Sequence, residues 1–192
     1  MTSNQFKLFG SDEKLSKAIK KFFLQLIILI VAWQLLYNFV LKPSNVPDKM
    51  LTKVTTIGAM ACINTFLPVD PKLTMDPVYH GNKGGFQLLQ RDKPVFIIAD
   101  ICNGLDLFVI YLGLIILLPY YSIKRKIAFG LGGLIVIMLA NVIRVTMLYW
   151  LYAYHRPMFE LNHKYIFTLL LYLLIFCGWV LFTRKGFKHE KN

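Results

Sequence analysis

Three short clusters carry residue types able to do chemistry. "CNG" (Cys102, Asn103, Gly104) stands at the mouth of an apolar run, with Asp100 and Asp106 beside it; "NVIR" (Asn141 to Arg144) lies late in a second run; "NH" (Asn162, His163) opens a third. The thiolate is the reactive form of cysteine, and a nearby Arg or protonated His favours it. Imidazole takes and returns a proton near neutral pH. A guanidinium offers fixed donors to an oxyanion forming at a carbonyl. Asn141, one helical turn before Arg144, shares its face and can orient the Arg or a carbonyl. Gly104 permits close backbone approach just after the thiol.

Those groups must be positioned by membrane helices. Of the 192 residues, 56% are hydrophobic, above the usual share for a soluble domain. Runs of near 20 residues with almost no charge match the length that crosses a hydrocarbon core. The expected fold is an all-α polytopic membrane protein of about four transmembrane helices. The spans fall at 22–41, about 103–120 (stopped by Pro119), about 127–149 and about 165–183. The first is too long, and lacks the small-residue cleavage site, for an ordinary signal peptide. "GLGG" (130–133) in the third would let a neighbouring helix come close.

The formal net charge is +12, from 22 Lys+Arg against 10 Asp+Glu. Lys and Arg cluster before the first span, between the second and third, and after the fourth. With four spans these clusters share one side, so the positive-inside rule puts both termini in the cytoplasm. No basic stripe interleaved with aromatics suggests nucleic acid. The division expected is a cytoplasmic segment 1–21, a first helix 22–41, an extracytoplasmic loop 42–101, a three-helix membrane core 102–183, and a cytoplasmic tail 184–192. The loop is too long for a simple connector. Within it, 50–67 reads as a small helix on or near the outer surface. "FQLLQ" (86–90) and "VFIIA" (95–99) read as a β-hairpin around "RDKP", leading into Cys102.

Counting residues from the inner span ends at about 1.5 Å each puts Cys102 about 27 Å up, Arg144 about 26 Å and His163 about 30 Å. The hydrocarbon core is about 30 Å thick, so all three meet at its outer edge, one from each of the last three spans. Depth says nothing of lateral contact. Singly, each has a plain structural explanation: Arg144 can snorkel, His163 can be an ordinary interfacial residue, and Cys102 can be inert. Cys62 and Cys177 sit among apolar neighbours and read as packing residues. No cofactor pattern appears. A metal site from Cys102, His163 and a carboxylate lacks any ligand spacing.

The ordered set "CNG", "NVIR" and "NH", on successive spans, resembles the exosortase/archaeosortase family of integral membrane cysteine transpeptidases. The likeness covers roughly residues 80–183. It implies Cys102, Arg144 and His163 as catalytic residues, with Asn141, Gly104 and Asn103 supporting them. It further implies exported protein substrates ending in a short motif, an apolar helix and a basic tail. Cleavage would pass through a Cys102 thioester to a lipid or glycan acceptor, at a multi-pass bacterial inner membrane with the site facing the periplasm or exterior. The competing function is a non-enzymatic small transporter or assembly subunit, in which Arg144 lines a polar path or holds a neighbour. A lipid- or glycan-modifying transferase is a third reading.

Overall fold

A computed structural model describes residues 3–80, 83–118 and 121–187. The chain begins with helix α1 (Ser3–Leu36), which runs on through a π-helical turn (Tyr37–Leu41) and Lys42–Ser44. Pro43 accounts for the π turn. Its ring would strike the carbonyl four residues back in a regular α-helix, and widening the preceding turn relieves that clash. Asn45, in the left-handed conformation (φ 54°), ends the helix and redirects the chain.

α2 (Val46–Phe66) follows, then strands β1 (Thr74–His80), β2 (Lys83–Gln90) and β3 (Lys93–Ala99). A single 3-10 turn (Asp100–Cys102) and Gly104 lead into α3 (Leu105–Ile116). α4 (Ile123–Tyr154) follows, 32 residues long. α5 (Arg156–Leu161) passes through a second π turn (Asn162–Ile166) into α6 (Phe167–Phe187).

The strands form one antiparallel sheet in the order β1-β2-β3. The expected hairpin is therefore its β2–β3 half, and β1 is an additional strand. Its turn is Arg91-Asp92, both at positive φ (52° and 61°), which matches the right-handed twist of the strands. β3 starts earlier than expected and contains Pro94. It is an edge strand, where a missing N–H costs no ladder bond, and the register shifts opposite Leu88/Leu89.

α2 differs most from expectation. It is a 21-residue helix packed lengthwise on α4 and the sheet rather than a small surface helix. Its buried stripe is Asp48, Thr52, Thr55, Thr56, Ala59 and Ile63. Small side chains let the helices close up. At Gly58, a β-carbon would come within 2.9 Å of Val142. The hydroxyls of Thr52 and Thr56 bond back to the carbonyls of Asp48 and Thr52, which makes threonine tolerable in so dry a helix.

Two cores result. One joins α2, the sheet and α4 through Ala59, Ile63, Leu73, Leu88, Ile98, Val145 and Tyr149. The other joins α3, α4 and α6 through Leu107, Tyr111, Ile115, Ile137, Leu171, Ile175 and Phe182. α4 belongs to both. Its 32 residues rise about 48 Å, more than the hydrocarbon core is thick. The close approach expected at "GLGG" is made by α3: a β-carbon on Gly133 would overlap the Tyr111 ring, and Gly130 faces Leu112, while Gly132 faces open space.

Among the described residues, three helical stretches are long and apolar enough to cross a membrane: Lys20–Ser44, Ile123–Tyr154 and Arg156–Arg184. The apolar run expected as a further span carries only the 12-residue α3, which rises about 18 Å. Pro119 lies outside the described residues, as do 188–192 of the tail. α1 stands largely apart. It leans on α3 where Leu29 meets Gly113 and where Trp33 Nε1 donates to Asp106 Oδ1 at 3.2 Å.

Candidate active site

Cys102 ends the 3-10 turn between β3 and α3. Asn103 follows, buried, and its side-chain oxygen accepts from Leu105 N–H at 2.8 Å, an Asx turn that leads into α3. Gly104 adopts φ 84°, a conformation that glycine alone enters without strain, with Asn141 directly alongside. The Asn141 amide donates to the Cys102 carbonyl at 2.8 Å. The thiol is thus presented by a tight turn that α4 clamps from the side.

Arg144 lies one turn beyond Asn141 on the same face of α4. His163 sits in the π turn below α5. Its ring stacks on Phe159, with centroids 5.5 Å apart and planes 11° off parallel. Phe159 in turn meets Phe96 of β3 and Tyr152 of α4. A π turn rotates the following side chains relative to a regular helix, and such turns are frequent at functional sites. Cys102 Sγ and His163 Nε2 are 3.9 Å apart. Cys102, Arg144 and His163 line one cavity of about 730 Å³, together with Asn103 and Gly104. Three groups expected at one depth therefore also share one space.

The cavity has features the sequence did not single out. Its lining also includes Tyr37 and Lys42, Asp48 of α2, and Thr168, Leu171 and Tyr172 of α6, besides the Asp100 and Asp106 that flank Cys102 in the chain. Phe159 was missed as the platform for His163, although its spacing, four residues before the His on one helical face, was the available signal. Among the described residues, no set of three or more His, Cys, Asp or Glu side chains is placed to hold a metal ion.

The electrostatics are those of a resting thiol. Burial pushes the Cys102 thiol above its ordinary range, and the Arg144 guanidinium offsets only part of that. Arg144 Nε is itself buried without a hydrogen-bond partner, as is Asn141 Oδ1. An unsatisfied buried donor costs about 1–3 kcal/mol, so an acceptor arriving beside it is favoured. A direct expectation follows for the isolated protein. Alkylation of Cys102 by iodoacetamide is slow at pH 7 and rises through the alkaline range, with a midpoint above that of free cysteine. In Arg144→Gln the midpoint moves further up. A downward movement would contradict this arrangement of charges.

Comparison with known families decides the relationship. Residues 15–184 match the family model described as Transmembrane exosortase (Exosortase_EpsH). The chain belongs to the transmembrane exosortase family. No curated protein and no solved structure matches it. Exosortases are membrane-embedded proteins of transpeptidase type, and the match agrees with the apolar helices in making this a multi-pass membrane protein. The cavity lined by Cys102, Arg144 and His163 lies wholly within the matched region.

Proposed function

We propose that this exosortase is a cysteine transpeptidase that cuts C-terminal sorting signals from exported proteins and passes the new C-terminus to an envelope acceptor. The 3.9 Å approach of Cys102 Sγ to His163 Nε2, in a cavity that also holds Arg144, carries the reading. That distance is longer than a productive hydrogen bond, as resting sites often are before substrate tightens them.

In this scheme His163 takes the thiol proton as Sγ attacks the scissile carbonyl. The Arg144 guanidinium stabilises the oxyanion, and Asn141 holds the Cys102 backbone still. The C–N bond breaks, the leaving nitrogen receives the proton from His163, and a thioester remains on Cys102. The departing apolar helix and basic tail stay in the membrane. An acceptor amine on a lipid or glycan then attacks the thioester, giving its proton to His163, and the thiol is restored. No metal or cofactor enters any step.

Mass spectrometry of the enzyme trapped with such a substrate is the test. The expected adduct joins Cys102 to the substrate's new C-terminus and is released by hydroxylamine. An adduct on Cys62 or Cys177 instead would remove the mechanism. In this reading α3 crosses as a short fourth span, so the basic clusters share the cytoplasmic side and the site faces the exterior. A membrane-impermeant maleimide therefore labels Cys102 in intact spheroplasts. Labelling only after permeabilisation would reverse the orientation.

A further inference from the structure

The turn that presents Cys102 is held on both sides by one helix, α2. Asp48 and Asn103 are 4% and 2% exposed. Asn103 Nδ2 donates to Asp48 Oδ1 at 2.7 Å. On the other side of the cysteine, Asp100 Oδ1 lies 2.6 Å from Thr52 Oγ1, which is also 2.7 Å from the Asp48 carbonyl, so one hydroxyl proton serves both oxygens. Tyr79 of β1 donates to the same Asp100 oxygen at 3.3 Å. Residues 100 and 103, the ends of the turn, are each tied to a side chain one helical turn apart on α2.

We infer that Asp48 and Thr52 are positioning residues, which hold the Asp100–Asn103 turn so that the Cys102 thiol meets the carbonyl carbon at the required angle. The inference rests on Cys102 being the nucleophile. A carboxylate as buried as Asp48 costs stability unless hydrogen-bonded, and an apolar residue would pack α2 against its neighbours at no such cost. What the carboxylate adds is a fixed partner for the residue that follows the cysteine. A misplacement of about 1 Å in such a site costs on the order of 10²-fold in rate.

The test separates position from mere reactivity. In full-length protein carrying Cys62→Ser and Cys177→Ser, two reactions of Cys102 are followed at a pH where the thiol is ionised. Acylation by p-nitrophenyl acetate needs the carbonyl approach and an oxyanion partner; it forms the S–C bond as p-nitrophenolate leaves. Alkylation by iodoacetamide needs only the thiolate. Asn103→Asp sets two carboxylates against each other, and acylation is expected to slow about 10²-fold with alkylation changed less than about threefold. Adding Asp48→Asn reverses the pair, since the new amide donates to the new carboxylate, and acylation returns to within a few-fold of the parent. Thr52→Val, which keeps the volume and removes the hydroxyl, shows the same split more weakly and serves if Asn103→Asp does not fold. Unchanged acylation, equal slowing of both reactions, or failure of the reversed pair to recover would overturn the inference. An acylation burst that survives Cys102→Ala would instead remove the nucleophile, and with it the proposed function.

Discussion

Replacing Cys102 by alanine leaves the sorting-signal substrate uncut, and replacing His163 by alanine slows cutting by about 10²–10⁴-fold. The two changes differ because they remove different things. Without the sulfur there is no atom to carry the acyl group, and the other cysteines stand elsewhere, Cys177 exposed and Cys62 on α2. Without the imidazole the thiol remains. Burial holds it protonated at neutral pH, and the imidazole that stood 3.9 Å from Sγ is gone. The His163→Ala defect should therefore shrink as pH rises and the thiol ionises unaided. Single-turnover cleavage across pH, in membranes with matched enzyme levels, reads both effects. Normal processing by the Cys102→Ala protein would leave a transporter or scaffold as the better account. A His163→Ala defect that stayed constant with pH would deny His163 the role of base.

Arg144→Lys is expected to lose about 10²–10³-fold in turnover although it keeps the charge. Lysine is a compact point charge on a flexible stem, whereas arginine presents a planar fork of donors. Arg144 is built into α4 one turn from Asn141, and its Nε is buried without a partner. A lysine ammonium has no donor at that position along the side chain. Since the oxyanion exists only during reaction, the loss should fall on kcat with KM little changed. Near-normal kcat in the lysine variant would assign Arg144 a purely structural charge.

Much of the cavity could be read from the chain because α-helical rise converts residue number into depth. That conversion put Cys102, Arg144 and His163 at one expected level, counting a regular helix from Cys102 to about residue 120 where α3 holds only 12 residues. It could not supply the lateral contacts. The segment 50–67 reads as a surface helix because Lys53, Asn64 and several threonines argue against a fifth span, which would also send one terminal basic cluster outside. Thr52, Thr55 and Thr56 are buried nonetheless, and Thr52 and Thr56 satisfy their hydroxyls on the helix's own backbone. Asn64 closes onto both the N–H and the carbonyl of Leu73. Strand β1 was hidden by Pro77 and by an acidic residue at Asp76, both unfavourable in strands. The apolar run after Cys102 looked like a full span because hydropathy counts residues and ignores the turn that consumes the first of them.

The shortness of α3 bears on the lipid around the site. A helix rising about 18 Å stands beside neighbours long enough for a hydrocarbon layer of about 30 Å. Where α3 meets lipid, through groups such as the exposed Ile116, acyl chains have too little apolar wall to lie against at full extension. The bilayer there must thin, or neighbouring helices must cover the deficit. Thinning would lower the headgroup surface toward the cavity mouth on that side alone. A peptide bond at the rim of a membrane-anchored chain would then reach Cys102 with its polar backbone still in the headgroup layer. An amine carried on a lipid headgroup would arrive at the same height without leaving its leaflet. The mismatch between one short helix and its long neighbours would thus shape the membrane to the reaction.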